Sequence, residues 1–323
     1  MSKAIRIEKP GPPDVMHLEE INISDPQDDE VQLRQSVIGV NYLDIYLRSG
    51  LYPLPAPHIP GLEGVGIIEK TGKSVSEFKS GDRVAYGVPP FGAYAEIRNI
   101  PWHRLVMLPD EIDDETAGAM MMKGIAAEFL THRVYEVKPG DTVLFHAAAG
   151  GVGLLACQWL QQIGARVIGT VGSNDKIAIA RAHGCTDVIN YNEEDFVEHV
   201  MEITQGKGVR VLYDGVGKAT FLKSLECVGK LGLAVLFGNS SGIPEPLNLF
   251  DLKKGSIHIT RPTITTFTET RDDILLSTNR LFNAVKAGQL KIKIHKVYPF
   301  ADAAQAHHDL ENRLTTGSCI LRV

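Results

Sequence analysis

Along the first 120 residues, apolar and polar positions alternate in short runs, each cut off by Gly or Pro. The clearest are EVQLRQSVIGV (30–40), GVGIIEKTG (64–72), GDRVAYG (81–87) and AYAEIRN (93–99). Period-two alternation sends every second side chain to one face, so closely spaced runs with turn residues between them predict a compact β-rich domain. The opening MSKAIRIEKPG alternates in the same way and predicts an edge strand. From about residue 125 the pattern changes. Unbroken apolar runs (TVLFHA, ARVIGTV, DVINY, VRVLYDGV, GLAVLFG) now alternate with stretches of helical period at 151–163, 174–183, 194–204 and 218–228. Strands apolar on both faces, separated by helices, predict βαβ units and a parallel sheet covered on both sides. After SIHITRP the pattern predicts one more helix, 272–287, and a closing strand, GSCILRV. The expected fold class is α/β. A β-rich domain made of 1–124 and 264–323 receives a doubly wound parallel-sheet domain, 125–263, as an insertion.

Composition narrows the class. A chain of 323 residues, 44% hydrophobic and 22% charged, has the balance of a soluble globular protein with room for two cores. The formal net charge of -6 provides no basic field for nucleic acid or for an anionic membrane surface, so neither is expected as a partner. No window approaches the roughly 18 apolar residues that span a bilayer, and the start lacks the apolar core of a secretory signal. The four cysteines, Cys157, Cys185, Cys227 and Cys319, are far apart and unpatterned, which fits a reducing cytoplasm and neither a disulfide framework nor a zinc cluster.

The candidate chemistry begins at VLFHAAAGGVGLLACQWLQQIG, residues 143–164. Aligned on its last glycine it contains Ala148-x-Gly150-x-x-Gly153, with Gly151 and Val152 inside, placed where a strand turns into a helix. This is the alanine-led form of the dinucleotide fingerprint. Gly150 would let backbone approach a pyrophosphate, Gly153 would let the helix pack on its strand, and the helix N-terminus would face the phosphates. A tightly packed helix–strand turn is the plainer reading of a lone match; four further βα units after it favour nucleotide binding.

The end of the second strand bears on which nicotinamide cofactor is bound. A site for NAD places Asp or Glu there to hold the ribose hydroxyls. Here IGTVGSNDK offers small neutral residues from Thr170 to Ser173, and then Lys176 in the first helical turn behind a Ser173 or Asn174 cap. A cation at that end opposes the helix dipole, so either it is a solvated lysine or it serves the 2′-phosphate of NADP. Tyr191, past the third strand, and Arg313, near the C-terminus, are possible companions.

These residues resemble the medium-chain dehydrogenase/reductase superfamily, and within it the zinc-independent quinone oxidoreductase (zeta-crystallin-like) family. GDTVLFHAAAGGVGLLACQ (140–158) is similar to that family's signature, apart from Gln161, where a basic residue is usual. GVNYLDIYLRSGLYP, GDRVAYG, INYNEEDF, FGNSSG and TRP extend the likeness over essentially the whole chain. The resemblance implies a GroES-like catalytic domain, a Rossmann domain binding NADPH, and a homodimer. It implies Asn41, Tyr46 and Tyr52 at the nicotinamide and substrate cleft, with Asp44 among the cofactor contacts. It also implies Gly172, Ser173, Lys176, Tyr191 and Arg313 around the adenosine 2′-phosphate. Gly238, Asn239, Ser240, Ser241, Thr260, Arg261 and Pro262 would form the wall beside the nicotinamide. From the residues alone, Asn41 with Asp44 three positions on also fits a helix N-cap, and Tyr46 and Tyr52 also fit plain packing.

Zinc-dependent relatives carry a Cys in the loop corresponding to 39–44 and a His in GHE; here those positions are Asn41 and Leu62. With no cysteine before Cys157, the four-cysteine structural lobe is missing as well, and no metal is expected. Without a metal to polarise a carbonyl, the favoured acceptor carries its own electron sink, as quinones and conjugated enones do. The expected function is NADPH-dependent quinone reduction. The rivals are reduction of enone or 2-alkenal double bonds on the same scaffold, and a non-catalytic NADPH-binding role such as a crystallin or an RNA-binding protein.

Overall fold

The computed structural model describes residues 2–323, which fall into two compact units. The first holds the chain up to Ile125 together with Thr268–Ala287 and Ile292–Val323; the second holds Ala126–Phe267 and Gly288–Lys291.

In the first unit β1 (Ser2–Ile7) pairs antiparallel with β2 (Met16–Ile21) as a two-stranded sheet. The eleven-residue β3 (Glu30–Val40) is followed by helix α1 (Tyr42–Ser49), β4 (Gly64–Thr71), β5 (Arg83–Tyr86), β6 (Ile97–Pro101), β7 (Val106–Met107) and helix α2 (Asp114–Phe129). β3 pairs antiparallel with β4 and β6, which makes it an interior strand. Its apolar residues Val31, Leu33, Ile38 and Val40 are buried, and so are Gln32 and Gln35 between them. The second of these glutamines is satisfied: the Gln35 amide donates to the carbonyls of Ala93 and Ala95 and accepts the Tyr86 hydroxyl, as a buried amide requires. Ile5, Ile7, Leu33, Ile38, Ile68 and Tyr94 join in one core, each such side chain contributing roughly 1.5–3 kcal/mol by its removal from water.

The second unit has a six-stranded sheet: β8 (Thr142–Phe145), β9 (Arg166–Val171), β10 (Asp187–Asn190), β11 (Val209–Asp214), β12 (Val228–Leu236) and β13 (His258–Thr260). The order across the sheet is β10-β9-β8-β11-β12-β13 and every pairing is parallel. Counted from β8, this is the 3-2-1-4-5-6 order of a dinucleotide-binding sheet, with its switch point between β8 and β11. Helices α3 (Gly151–Ile163), α4 (Ile177–Ala182), α5 (Phe196–Ile203), α6 (Phe221–Ser224) and α7 (Ile264–Phe267) belong to this unit. The chain then returns to the first unit with α8 (Arg271–Lys286), β14 (Ile294–Pro299), α9 (Ala303–Glu311) and β15 (Ser318–Arg322). β15 pairs antiparallel with β3, completing a sheet ordered β14-β15-β3-β4-β5-β7.

Three expectations are corrected. The stretch 174–183 begins as a 3-10 turn, Asn174–Lys176, before α4 starts, and 218–228 holds only the short α6 and a 3-10 turn, Leu225–Cys227. In both places short polar residues interrupt the helical register. The tail contains β14 and α9 besides the expected helix and strand. β14 (IHKVYP) carries exposed His and Lys, as suits the outermost strand of its sheet, and α9 (AAQAHHDLE) is too short and polar to show a clear apolar stripe.

Candidate functional site

The glycine loop is built by local geometry. After β8 the chain takes a left-handed step at Ala147 (φ 55°) and enters α3 behind Gly150 as N-cap. A Cβ on Gly153 would collide with the Ala147 carbonyl and stand 2.8 Å from Ala148 Cα, so only glycine lets the helix approach the turn this closely. A Cβ on Gly150 would meet only the Ala147 carbonyl, at 3.2 Å, and otherwise face open space. Buried Ala148, half-buried Gly151 and Val152, and the free N–H groups at the start of α3 therefore form a cradle that fits a pyrophosphate.

The end of β9 lies against the end of β10. A Cβ on Gly172 would stand 3.0 Å from the Tyr191 hydroxyl, and Asn192 Nδ2 donates to the Gly172 carbonyl at 2.7 Å. The Asn174 amide donates to both Glu193 oxygens, at 2.9 and 3.0 Å, and accepts from Asn190 at 3.0 Å. The Asn174 side chain is thus engaged across the loop and does not cap. Ser173 occupies the N-cap position, but its side chain makes no capping bond; its carbonyl accepts the Lys176 N–H. Lys176 is half-buried at the junction of the 3-10 turn and α4. Gly172, Ser173, Lys176 and Tyr191 are therefore neighbours along one loop pair. Arg313 belongs to the first unit, on an exposed left-handed step (φ 60°) just past α9.

Beyond β12, Gly238 packs so closely on Gly215 that its Cβ would stand 2.6 Å from the Gly215 carbonyl. The loop it meets is held by the buried Asp214, which accepts the N–H groups of Val216 and Gly217 and the Thr220 hydroxyl. Ser241 Oγ accepts from Ala219 N–H and donates to the Val216 carbonyl, the Ser240 N–H donates to Gly215, and Asn239 is buried. Arg261 donates to the Leu236 carbonyl at 3.0 Å, which ties Thr260, Arg261 and Pro262 at the end of β13 to the end of β12.

In the first unit the N-cap reading of Asn41 is correct: Asn41 caps α1, and Asp44 reaches back to the Asn41 N–H at 2.9 Å. The packing reading of the tyrosines also has substance. The Tyr46 and Tyr52 rings lie 5.0 Å apart between centroids, and Tyr42 stands 5.4 Å from Tyr46 on the other side. Beyond Tyr52, an open hollow of about 630 Å³ is lined by Leu54, Pro55, Pro57, Ile59 and Phe91 with Arg6 and His58; it contains none of the residues singled out from the sequence.

Two buried polar clusters around α1 escaped the sequence reading. In one, Glu63 accepts from Asn41 Nδ2 at 2.8 Å, from Lys123 Nζ at 2.9 Å and from the Met122 N–H at 2.9 Å. In the other, Tyr94 Oη lies 3.1 Å from Asp44 Oδ2 and 2.9 Å from His307 Nε2, and Arg48 Nη1 lies 3.3 Å from His307 Nδ1. Arginine only donates, so His307 Nδ1 accepts and Nε2 carries the proton. The Nε2–H donates to the Tyr94 oxygen and the Tyr94 O–H donates to Asp44. Burial lifts the Asp44 carboxyl to about 7, against the lowering effect of the Asn41 N–H and Tyr94, and burial pushes His307 down to about 3. Asp44 Oδ1 is buried with no partner, and because Oδ2 accepts from both the Asn41 N–H and the Tyr94 hydroxyl, Oδ1 is the oxygen that carries the proton when the carboxyl is neutral. A signal for the first cluster existed in the sequence. Glu63 and Lys123 are lone charges of opposite sign inside apolar runs, PGLEGVGII and GAMMMKGIAA.

The residues do not fit a zinc ion. Asn41 spends its amide on Glu63, Leu62 has no donor atom, and Glu63 already holds an ammonium. Among the described residues, no group of three or more His, Cys, Asp or Glu is placed to hold a metal.

Family models match in two places: an alcohol dehydrogenase GroES-like domain over residues 27–110 and a zinc-binding dehydrogenase over residues 151–277. A GroES-like domain combined with a Rossmann sheet defines a medium-chain dehydrogenase/reductase. A quinone oxidoreductase of Pseudomonas aeruginosa is 44% identical, with 99% of each chain covered, and a 2-haloacrylate reductase of a Burkholderia species is 41% identical over 99% of each. The crystal structure of Escherichia coli quinone oxidoreductase complexed with NADPH superposes with a TM-score of 0.97 at 44% identity, covering 99% of this chain and 100% of that one. The chain belongs to the zinc-independent quinone oxidoreductase family.

Proposed function

We propose that this protein is an NADPH-dependent quinone reductase that works without a metal. The observation that carries this reading is the side-chain set at Asn41, Leu62 and Glu63, which leaves no ligands for a Lewis-acid metal and so favours an acceptor with its own electron sink. The full-length likeness to quinone oxidoreductases supports it, as does the NADPH bound in one of them.

NADPH, when bound, supplies the hydride. Ala148, Gly150, Gly151, Val152 and Gly153 receive its pyrophosphate at the start of α3. Gly172, Ser173, Lys176 and Tyr191, with Arg313, hold the adenosine 2′-phosphate. Gly238 to Ser241 and Thr260 to Pro262 form the nicotinamide wall, Asn41 faces the nicotinamide and the acceptor, and Asp44 Oδ1, buried without a partner, meets a ribose hydroxyl. Tyr46 and Tyr52, tilted against one another, offer aromatic surface and phenolic donors to a flat acceptor. Charge arriving on the acceptor oxygen meets a preset donor, so the protein contributes mainly placement and desolvation.

The relative named 2-haloacrylate reductase favours a second reading, reduction of conjugated carbon–carbon double bonds by the same residues. NADPH oxidation measured across quinones, enones and 2-alkenals, compared by kcat/KM, decides between them. Tight NADPH binding with no acceptor turned over would replace both with a binding role. Elemental analysis finding one tightly held zinc per chain would overturn the metal-free reading.

A homodimer formed through β13 belongs to this proposal. β13 is an outermost strand that pairs with β12 alone among the described residues, and Leu249 and Phe250, shortly before it in the chain, are exposed. An open sheet edge carrying β-branched residues favours pairing with its own copy about a two-fold axis. Sedimentation that shows only monomer at micromolar concentration refutes it. Among the described residues no helix is long and apolar enough to cross a membrane, and a cytoplasmic location completes the reading.

A further inference from the structure

Two charges that the proposed reaction leaves unused lie inside the first unit. Glu63 is wholly buried, Lys123 nearly so, and they pair at 2.9 Å. A lone carboxylate or ammonium is costly to bury, and a buried pair is tolerated only where its hydrogen bonds are saturated. Here the carboxylate has three donors: Lys123 and Asn41 on Oε2, and the Met122 N–H on Oε1. Its place is kept clear by Gly39, whose Cβ would run into the carboxylate. The carboxylate can only accept, so the Asn41 amide must present its nitrogen to Glu63 and turn its oxygen away. The direction of the Asn41 side chain is therefore set by Glu63 together with the α1 cap, and Glu63 in turn is held in place by Lys123.

We infer that Glu63 and Lys123 are positioning residues for Asn41, the buried ion pair fixing which way its amide faces. The inference rests on the reading above, in which Asn41 meets the reacting groups.

Lys123→Met tests it in the full-length protein with NADPH and a quinone. The expected result is a kcat lower by about 10- to 100-fold, the usual cost of losing a residue that orients a reacting group. KM for NADPH should stay within about threefold, because an orientation is lost rather than a binding contact. Lys123→Arg should recover most of the rate. In an Asn41→Ala background Lys123→Met should cost little more, because it acts through the side chain already removed. Losses that multiply across the two sites, or a fall in thermal midpoint with unchanged kcat, would overturn the inference. If Lys123→Met does not fold, Glu63→Gln takes its place, with the same lowered kcat, steady KM and non-additivity expected. A second readout is independent of turnover: the 15N-labelled side-chain amide of Asn41 should be protected from exchange in the wild type and in Lys123→Arg, and should shift and lose that protection in Lys123→Met and Glu63→Gln. An unprotected wild-type amide refutes the positioning role. A wild type that reduces no acceptor refutes the proposed function instead, and the amide signal still decides this inference.

Discussion

Replacing either end of the buried Asp44–Tyr94–His307 chain should turn a flat pH dependence of stability into a sloped one, with opposite signs at the two ends. Burial raises the Asp44 carboxyl from 3.8 to about 7, and burial with the nearby Arg48 lowers His307 from 6.5 to about 3. Between the two unfolded values, the unfolded chain carries a proton on His307 and none on Asp44. The folded chain carries one on Asp44 and none on His307. Each state holds one proton on the pair, so their contributions to the slope cancel. Asp44→Asn leaves His307 alone. The stability contributed by that neutral histidine is present above 6.5 and is lost as pH falls toward about 3, so the variant gains on wild type as pH rises. His307→Gln leaves Asp44, a carboxyl protonated only in the folded chain. Its contribution is lost as pH rises from 3.8 toward about 7, and that variant loses ground to wild type as pH rises. Each slope approaches about 1.4 kcal/mol per pH unit, which over the shared window amounts to roughly 3–4 kcal/mol in opposite directions. Urea unfolding of the three proteins at about pH 4.5, 5.5 and 6.5 measures this, because only differences from wild type at each pH are used and every other titrating group drops out. Two variants that run parallel to wild type, or slope the same way, would show that the protons are not placed as stated.

The other predictions concern the second unit. Lys176→Ala should weaken NADPH about 10- to 100-fold, the loss of one charge-assisted hydrogen bond, and leave NADH almost untouched; titrations in which both affinities fall together would make Lys176 structural. Gly153→Ala should destabilise the protein by about 1–3 kcal/mol in unfolding experiments, since its Cβ has nowhere to go between α3 and the Ala147–Ala148 turn, and it should weaken both cofactors alike because it distorts the turn they share. Phe250→Asp should shift sedimentation toward monomer while leaving the thermal midpoint of dilute protein within about 1–2 °C, if the Leu249–Phe250 turn is buried only between copies.

Much of the fold was legible because its causes are local. β3, β4 and α3 follow the expected runs 30–40, 64–72 and 151–163 almost residue for residue, since alternation and helical period are set by neighbours two to four positions away. The parallel sheet followed from apolar runs spaced by helices, and the close approach at Gly153 followed from a turn of six residues. Where short-range signals conflict, the reading failed. The polar GSNDK stretch became a 3-10 turn, and β14 and α9 were passed over because neither carries a clear stripe.

The candidate site divides along the same line. The glycine cradle (148–153) and the loop of small residues ending in Lys176 (170–176) are each confined to a few consecutive residues, and the sequence by itself determined their local build, because a strand, a tight turn and a helix start leave the backbone few alternatives. The tertiary structure alone decided what surrounds Asn41. Glu63 meets Lys123 across 60 positions, Tyr94 meets Asp44 across 50, and Arg48 meets His307 across 259. Apart from Glu63 and Lys123, whose apolar surroundings in the chain set them apart, each of these side chains taken singly looks like an ordinary surface charge or a packed ring. Only when β3, α1, α2 and α9 close on one another do they lose their water, and once it is lost each must find the one partner that makes its burial tolerable.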